Sequence, residues 1–282
     1  MPKWANYGKM EQPQIKKITI FGGTDKKGNP EPVERVEISA GERIGIVGQT
    51  GAGKSQLLYD IERLAKGETK SKRRVLINGE EAPEKLRHDP KNKVIGYITQ
   101  NMKFLTDASV GEFLESHIRA RGIAGGDELI AKIIADANQI TGEAINRDMN
   151  LLALSGGQSR ALMAADVAHV SNSPIVLVDE IESAGINKEK ALDILCSHEK
   201  IVFLVTHDPR LALNTDKRIV LKKGAISDLI NTSVQERGIA HYFSWIEKYL
   251  LEVRDDIRNG KRVEELKLIC APMQVKKSAT SP

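Results

Sequence analysis

The stretch GQTGAGKS, Gly48 to Ser55, constrains this chain more than any other. It follows RIGIV, a short β-branched run of the kind that forms buried strands. After it, Leu57, Leu58, Ile61 and Leu64 fall at helical spacing, with Gly67 placed to end that helix. A strand, a glycine turn and a helix in that order aim main-chain N–H groups at an anion near the helix N-terminus. The pattern G-x-x-x-x-G-K-S grips nucleotide phosphates: Lys54 reaches the β- and γ-phosphates, and the Ser55 hydroxyl binds Mg²⁺. Gly48, Gln49, Thr50, Gly51, Ala52, Gly53, Lys54 and Ser55 are the expected nucleotide-binding residues. The loop alone fits kinases, GTPases and many ATPases equally well.

Further strand-like runs end on polar residues, as a site at the carboxyl ends of parallel strands requires. They are KVIGYITQ (93–100), PIVLVDE (174–180) and KIVFLVTHD (200–208). The earlier segment KITIFGGTDKKGNPEPVERVEI reads as an antiparallel hairpin, and RRVLING ends in an Asn78-Gly79 turn signal. From about Ala108 to Asn150 the pattern is mainly helical, broken at GIAGGDE. From Ser233 to Ile257 a helical face carries Tyr242, Phe243, Ile246, Tyr249, Leu250, Val253 and Ile257, for packing on its own domain or docking to a partner.

Bulk composition narrows the class. With 282 residues, 40% apolar and 28% charged, the chain can bury a sizeable core and has the profile of a soluble globular protein. No apolar run approaches the roughly 18 to 20 residues that cross a bilayer. The N-terminus lacks a secretory core, so a cytoplasmic location is expected, with any place on the inner face of a membrane owed to another chain. Cys196 and Cys270 form no CxxC pair, and His88, His117, His169, His198 and His241 share no ligand spacing. The basic run KGETKSKRR (66–74) has no interleaved aromatics; it reads as a solvated loop entering a strand, and no nucleic acid is expected as a partner.

Two more stretches carry chemistry. IVLVDE ends an apolar strand with Asp179, placed to hold the metal beside Ser55, and Glu180, placed to polarise a water against the γ-phosphate. LALSGGQSR contains LSGGQ, Leu154 to Gln158, which resembles the signature of the ATP-binding cassette (ABC) ATPase family. Gln100 resembles the Q-loop glutamine, SVGEFL the stretch that follows it, Asp179-Glu180 the Walker B pair with its catalytic glutamate, and His207 in VTHDP the switch histidine. RIVLKKGAI resembles the last strand pair, and Phe21 the aromatic that stacks on adenine.

The resemblance covers about residues 15–227 and implies an α/β fold of the P-loop NTPase type. That fold has a mixed sheet core, an N-terminal antiparallel β subdomain and an inserted helical signature subdomain at about 101–160. Residues 228–272 would be a helical C-terminal appendix and 273–282 a disordered tail. The resemblance further implies ATP hydrolysis with Mg²⁺ in a head-to-tail cassette dimer. Ser155, Gly156, Gly157 and Gln158 would then act in trans on the other cassette's ATP, Gln100 would sense metal and water, and His207 would contact the γ-phosphate. One loop and one signature per chain require a copy of this chain or a second cassette protein.

IESAGIN departs from the family's usual D-loop at Ile181, Gly185 and Ile186, while Ser183 and Ala184 match. Two roles fit this pattern. One is a transporter motor docked on a separate membrane permease. The other is a soluble ATPase that remodels a cytoplasmic client, of the kind serving metallocluster assembly or metalloenzyme activation.

Overall fold

The computed structural model describes residues 14–88, 94–99, 102–171, 173–179, 186–196 and 199–263. Two sheets carry the chain, and their order explains where the loop of glycines ends up. In the smaller sheet, β1 (Lys17–Phe21) pairs antiparallel with β2 (Arg35–Ser39), Lys17 opposite Ser39. On its other side β1 pairs with β4 (Arg74–Ile77), which turns into the two-residue β5 (Glu80–Glu81). Asn78 and Gly79 take φ of 52° and 91°, the two positive values a tight hairpin turn needs.

The larger sheet starts with β3 (Arg43–Val47) and continues with β6 (Ile95–Ile98), β7 (Ile175–Asp179), β8 (Ile201–Val205), β9 (Lys217–Lys222) and β10 (Ala225–Asn231). Its spatial order is β10-β9-β3-β8-β7-β6, parallel except for the β9–β10 hairpin. Alternation along β7 and β8 decides both faces. Ile175, Leu177, Ile201, Phe203 and Val205 pack toward α1 (Lys54–Glu62) and the antiparallel sheet. Val176, Val178, Val202 and Leu204 pack toward the helical side, where α3 (Val110–Arg121), α4 (Gly126–Ile140), α5 (Gly156–His169) and α6 (Lys188–Leu195) lie. Burial on both faces is what continuous apolar strands of a parallel sheet require. The remaining helices are α2 (Glu84–His88), α7 (Pro209–Leu213) and α8 (Val234–Arg258).

Local signals account for most boundaries. Ser109 and Glu112 form a reciprocal cap at the start of α3, and Gly122 closes it at φ 64° before the glycine-marked break. The mixed α/β fold expected from the sequence is the one observed.

Several local expectations change. α1 ends at Glu62, well before Gly67. Leu64 takes φ 49°, and the Ala65 N–H reaches back to Asp60 O at 2.9 Å, a closure normally made by glycine. The Leu64 side chain is buried, which offsets a backbone cost of about 1–2 kcal/mol. The basic run 66–74 is not simply a solvated loop, because Arg73 is fully buried. β10 runs through Asn231 past a bulge at Ile226/Asp228, so the sheet extends beyond residue 227. α8 then starts from a Ser233–Glu236 cap and stops at Arg258.

The face of α8 is only partly packed. Ala240 is buried, Tyr242, Phe243, Ile246, Tyr249 and Val253 are half-buried, and Leu250 and Ile257 are exposed. The proposed tail 273–282 and Cys270 lie outside the described residues.

Candidate active site

Strand register brings the motifs together. Ile46 on β3 and Asp179 on β7 both pair with Val205 on β8, and Ile98 on β6 pairs with Val178. The glycine loop leaves β3, His207 follows β8 by two residues, and Asp179 closes β7, so all three stand at one edge of the sheet. Gln100 lies two residues past β6 and Glu180 one past β7; both fall outside the described residues, as do Ile181, Ser183, Ala184 and Gly185. Ile186 is described, and it bridges Thr141 at the end of α4.

The loop is built on its own backbone. The Ala52 N–H donates to Gln49 O at 3.0 Å, and the Gly224 N–H, from the β9–β10 turn, donates to Ala52 O at 2.9 Å. Gly53 has φ 105°, and a Cβ there would stand 3.0 Å from Gly224 Cα. At Gly48 a Cβ would stand 2.6 Å from Leu221 O. The loop therefore needs these glycines to pack against β9–β10.

Lys54 is buried, and its Nζ donates to Gly48 O at 2.8 Å and lies 3.1 Å from His207 Nε2. An ammonium in that contact donates to the imidazole, which leaves Nε2 as acceptor. Ser55 is the second residue of α1 and is exposed. On the far side, Tyr97 Oη donates to Asp179 Oδ2 at 3.5 Å. Burial, and then the Asp179 charge, push the Tyr97 hydroxyl up to about 12, so it stays a donor to that carboxylate at neutral pH.

The Ser55 hydroxyl and Asp179 carboxylate are hard oxygen donors of the kind Mg²⁺ takes when phosphate oxygens complete its shell. Among the described residues no group of three or more His, Cys, Asp or Glu could hold a metal by itself. His117 instead meets Asp166 at 2.9 Å, and His169 meets Asp136 at 2.6 Å.

The signature segment has a local role. Ser155 caps α5: its Oγ accepts from the Gln158 N–H at 3.2 Å, and Gln158 Oε1 accepts from the Ser155 N–H at 2.9 Å. Gln158 Nε2 also donates to Ala144 O. Ser155 and Gly156 are exposed and Gly157 half-buried, leaving a 14-residue helix with its positive end open to solvent. Among the described residues no hydrogen bond joins 155–158 to the glycine loop.

Phe21 projects on the outer face of the antiparallel sheet, opposite to the buried Ile18 and Ile20. The guanidiniums of Arg35 and Arg74 stand 5.7 and 5.9 Å from its ring centroid.

Three contributors carry no sequence signal. Lys26 Nζ donates to Gly51 O at 2.8 Å, adding a positive charge beside the loop. Arg73 donates to Asp60 Oδ2 (2.9 Å), Glu31 Oε1 (2.5 Å) and Gly224 O (2.7 Å), locking α1 and the β9–β10 turn beneath the glycines. Tyr97 lies in an ordinary strand pattern. Each acts across a distance in sequence that no local spacing reveals.

Comparison with known proteins bears on this arrangement. The family model described as ABC transporter matches residues 34–183. An uncharacterized ABC transporter ATP-binding protein of Methanocaldococcus jannaschii is 51% identical over 250 residues, 89% of this chain and 95% of that protein. The alpha-hemolysin translocation ATP-binding protein HlyB of Escherichia coli is 29% identical over 242 residues; the match takes in 80% of this chain and 33% of HlyB. A solved structure of the ATP binding subunit of an ABC transporter superposes with a TM-score of 0.59 at 17% identity, covering 76% of this chain and 89% of that one. CbiO1 from Clostridium perfringens gives 0.57 at 20% identity, with 86% and 97% covered. At such identities the structures speak for the fold.

Proposed function

Because this chain belongs to the ABC transporter family and is an ATPase, we propose that it is the ATP-binding subunit of a membrane transporter, working as a head-to-tail pair of cassettes on a separate membrane permease. The observation that carries this reading is a divided site. The glycine loop, Asp179 and His207 gather at one edge of the sheet, while the signature caps a helix with its N-terminus open to solvent. A second cassette, a copy of this chain or another protein, would bring its own Ser155–Gln158 segment to the γ-phosphate, where a helix N-terminus favours an anion. Transport as the use of the energy rests on the names of the relatives. Among the described residues no helix is long and apolar enough to cross a membrane.

Residue roles follow from the chemistry. Main-chain N–H groups of 48–55 wrap the phosphates, and Lys54 turns from Gly48 O and His207 to neutralise β- and γ-oxygens. Ser55 and Asp179, with Gln100 as the family resemblance implies, would hold Mg²⁺, which would supply further neutralisation of the phosphate charge. Tyr97 fixes the orientation of Asp179. Glu180 takes a proton from water, whose oxygen bonds to the γ-phosphorus as the bond to the β-phosphate oxygen breaks, leaving ADP and inorganic phosphate. With Lys54 turned away and a proton on the ring nitrogen that faces the γ-phosphate, His207 would donate to it and hold that geometry. For Phe21 to stack on adenine, Arg35 or Arg74 would have to leave its ring.

The test is Glu180→Gln, purified from native cells with ATP and Mg²⁺ in mild detergent. A stable dimer that carries a multi-span membrane protein supports the reading. A soluble metalloprotein in its place would make the chain a remodelling ATPase. A monomer on gel filtration would rule out the homodimer and leave pairing with a second cassette.

A further inference from the structure

α8 begins far from the catalytic edge and reaches it only midway. At its start, Glu236 pairs with Arg218, and Arg237 Nη2 lies 2.9 Å from Asp216 Oδ1, just before β9. One turn past the buried Ala240, Ser244 Oγ donates to Glu189 Oε1 at 2.8 Å. Glu247 then meets two cations at once. Its Oε2 lies 2.5 Å from Arg210 Nη1, and its Oε1 lies 3.9 Å from Lys188 Nζ. Arg210 is in α7, directly after His207-Asp208-Pro209. Lys188 opens α6, the helix that follows the segment after β7.

Both cations converge on Asp208. Lys188 Nζ donates to Asp208 Oδ2 at 3.1 Å, and Arg210 Nη2 stands 3.8 Å from the same oxygen. Asp208 Oδ1 accepts from the Arg210 N–H at 2.9 Å, while the Asp208 N–H donates to Thr206 Oγ1 at 3.0 Å. That last bond spans His207. The switch residue is thus bracketed by two neighbours tied to each other, and one of them, Asp208, is held by the two cations that Glu247 of α8 also meets. Arg210 is 10% exposed at its side chain and its buried Nε has no hydrogen-bond partner among the described residues, so its position is set by the carboxylates around it: Asp208, Glu247 and Glu189, the last at 3.4 Å from Nη1.

We propose that Glu247 is a positioning residue for ATP hydrolysis: through Arg210 and Lys188 it holds Asp208, and Asp208 sets where His207 stands against Lys54. This rests on the role given above to His207. The C-terminal helix is then part of the ATPase cycle, and whatever moves α8 changes turnover without touching the nucleotide.

A double-mutant cycle on the full chain tests it, with kcat and KM for ATP measured at saturating Mg²⁺ for wild type, Glu247→Gln, His207→Ala and the double variant. The proposal expects Glu247→Gln to lower kcat about three- to tenfold with KM changed less than about twofold, and to have no further effect in the His207→Ala background. An unchanged kcat in Glu247→Gln, or the same fold loss with and without His207, overturns it. A wild-type kcat in His207→Ala alone would instead overturn the role of His207. Circular dichroism reports whether α8 stays folded. Should it not, Lys188→Gln leaves the Arg210–Glu247 contact in place, and the same cycle with His207→Ala gives the same expected and overturning results.

Discussion

Lys54 and His207, 153 residues apart in sequence, stand 3.1 Å apart in the fold. One comes from the loop after β3 and the other from the end of β8, the adjacent strand, so the contact spans two neighbouring parallel strands at the edge where ligands bind in open α/β sheets.

Removing either side chain should separate binding from chemistry. Lys54→Ala is expected to lose ATP affinity by at least about 100-fold, because it deletes the charge proposed to neutralise the phosphates. His207→Ala is expected to bind ATP nearly normally and to hydrolyse it roughly 10²- to 10³-fold more slowly. Titration with a fluorescent nucleotide and steady-state turnover read the two effects. Normal turnover in Lys54→Ala would overturn the phosphate-loop assignment.

Two glycines of the loop should respond differently to the same substitution. Gly53→Ala adds backbone strain at φ 105° and a close approach to Gly224, and is expected to cost about 1–3 kcal/mol and most of the ATP affinity. Gly51→Ala, at φ 78° with nothing within 4 Å of the new Cβ, is expected to cost about 1–2 kcal/mol. Urea denaturation of both variants, with nucleotide titration, compares them; a milder Gly53 variant would show that the β9–β10 turn gives way.

Arg73 is expected to be among the most sensitive residues outside the site. Arg73→Ala leaves Glu31 and Asp60 buried without their cation, at a cost of about 3–5 kcal/mol. Arg73→Met combined with Glu31→Gln and Asp60→Asn is expected to recover part of that loss. Chemical denaturation measures both; equal losses would mean that packing volume, not charge, sets the cost.

Lys200 should make stability rise with pH. Its Nζ donates to Val167 O at 3.0 Å and Ala168 O at 2.7 Å, and burial pushes its pKa from 10.5 down to about 8. Between those values the unfolded chain binds more protons than the folded one, so the unfolding free energy increases across that window. Below about 8 the cost of the buried charge is fully present. Relative to Lys200→Met, wild type is expected to gain on the order of 1–3 kcal/mol between pH 7.5 and 10. A flat difference would mean that the two carbonyls keep the ammonium charged.

Much of this molecule was legible because its signals are short-range. The strand–loop–helix around GQTGAGKS, the Asn78-Gly79 turn and the start of α8 at Ser233 are each decided within a few residues, by sterics and by hydrogen bonds to neighbouring backbone. The end of α1 was not, because Leu64 tolerates a left-handed backbone for the sake of its burial.

The sequence by itself determined the class of fold, ATP as the substrate, and the order in which Gly48–Ser55, the signature, Asp179 and His207 arrive along the chain. Only the tertiary structure decided that Arg73 lies beneath the glycine loop, that Tyr97 meets Asp179, that two arginines flank Phe21, and that Glu247 reaches the neighbours of His207. Local sterics act between residues near in sequence. Charge pairing in a packed interior acts between residues that only the register of β3, β7 and β8 and the docking of α8 bring within a few ångströms.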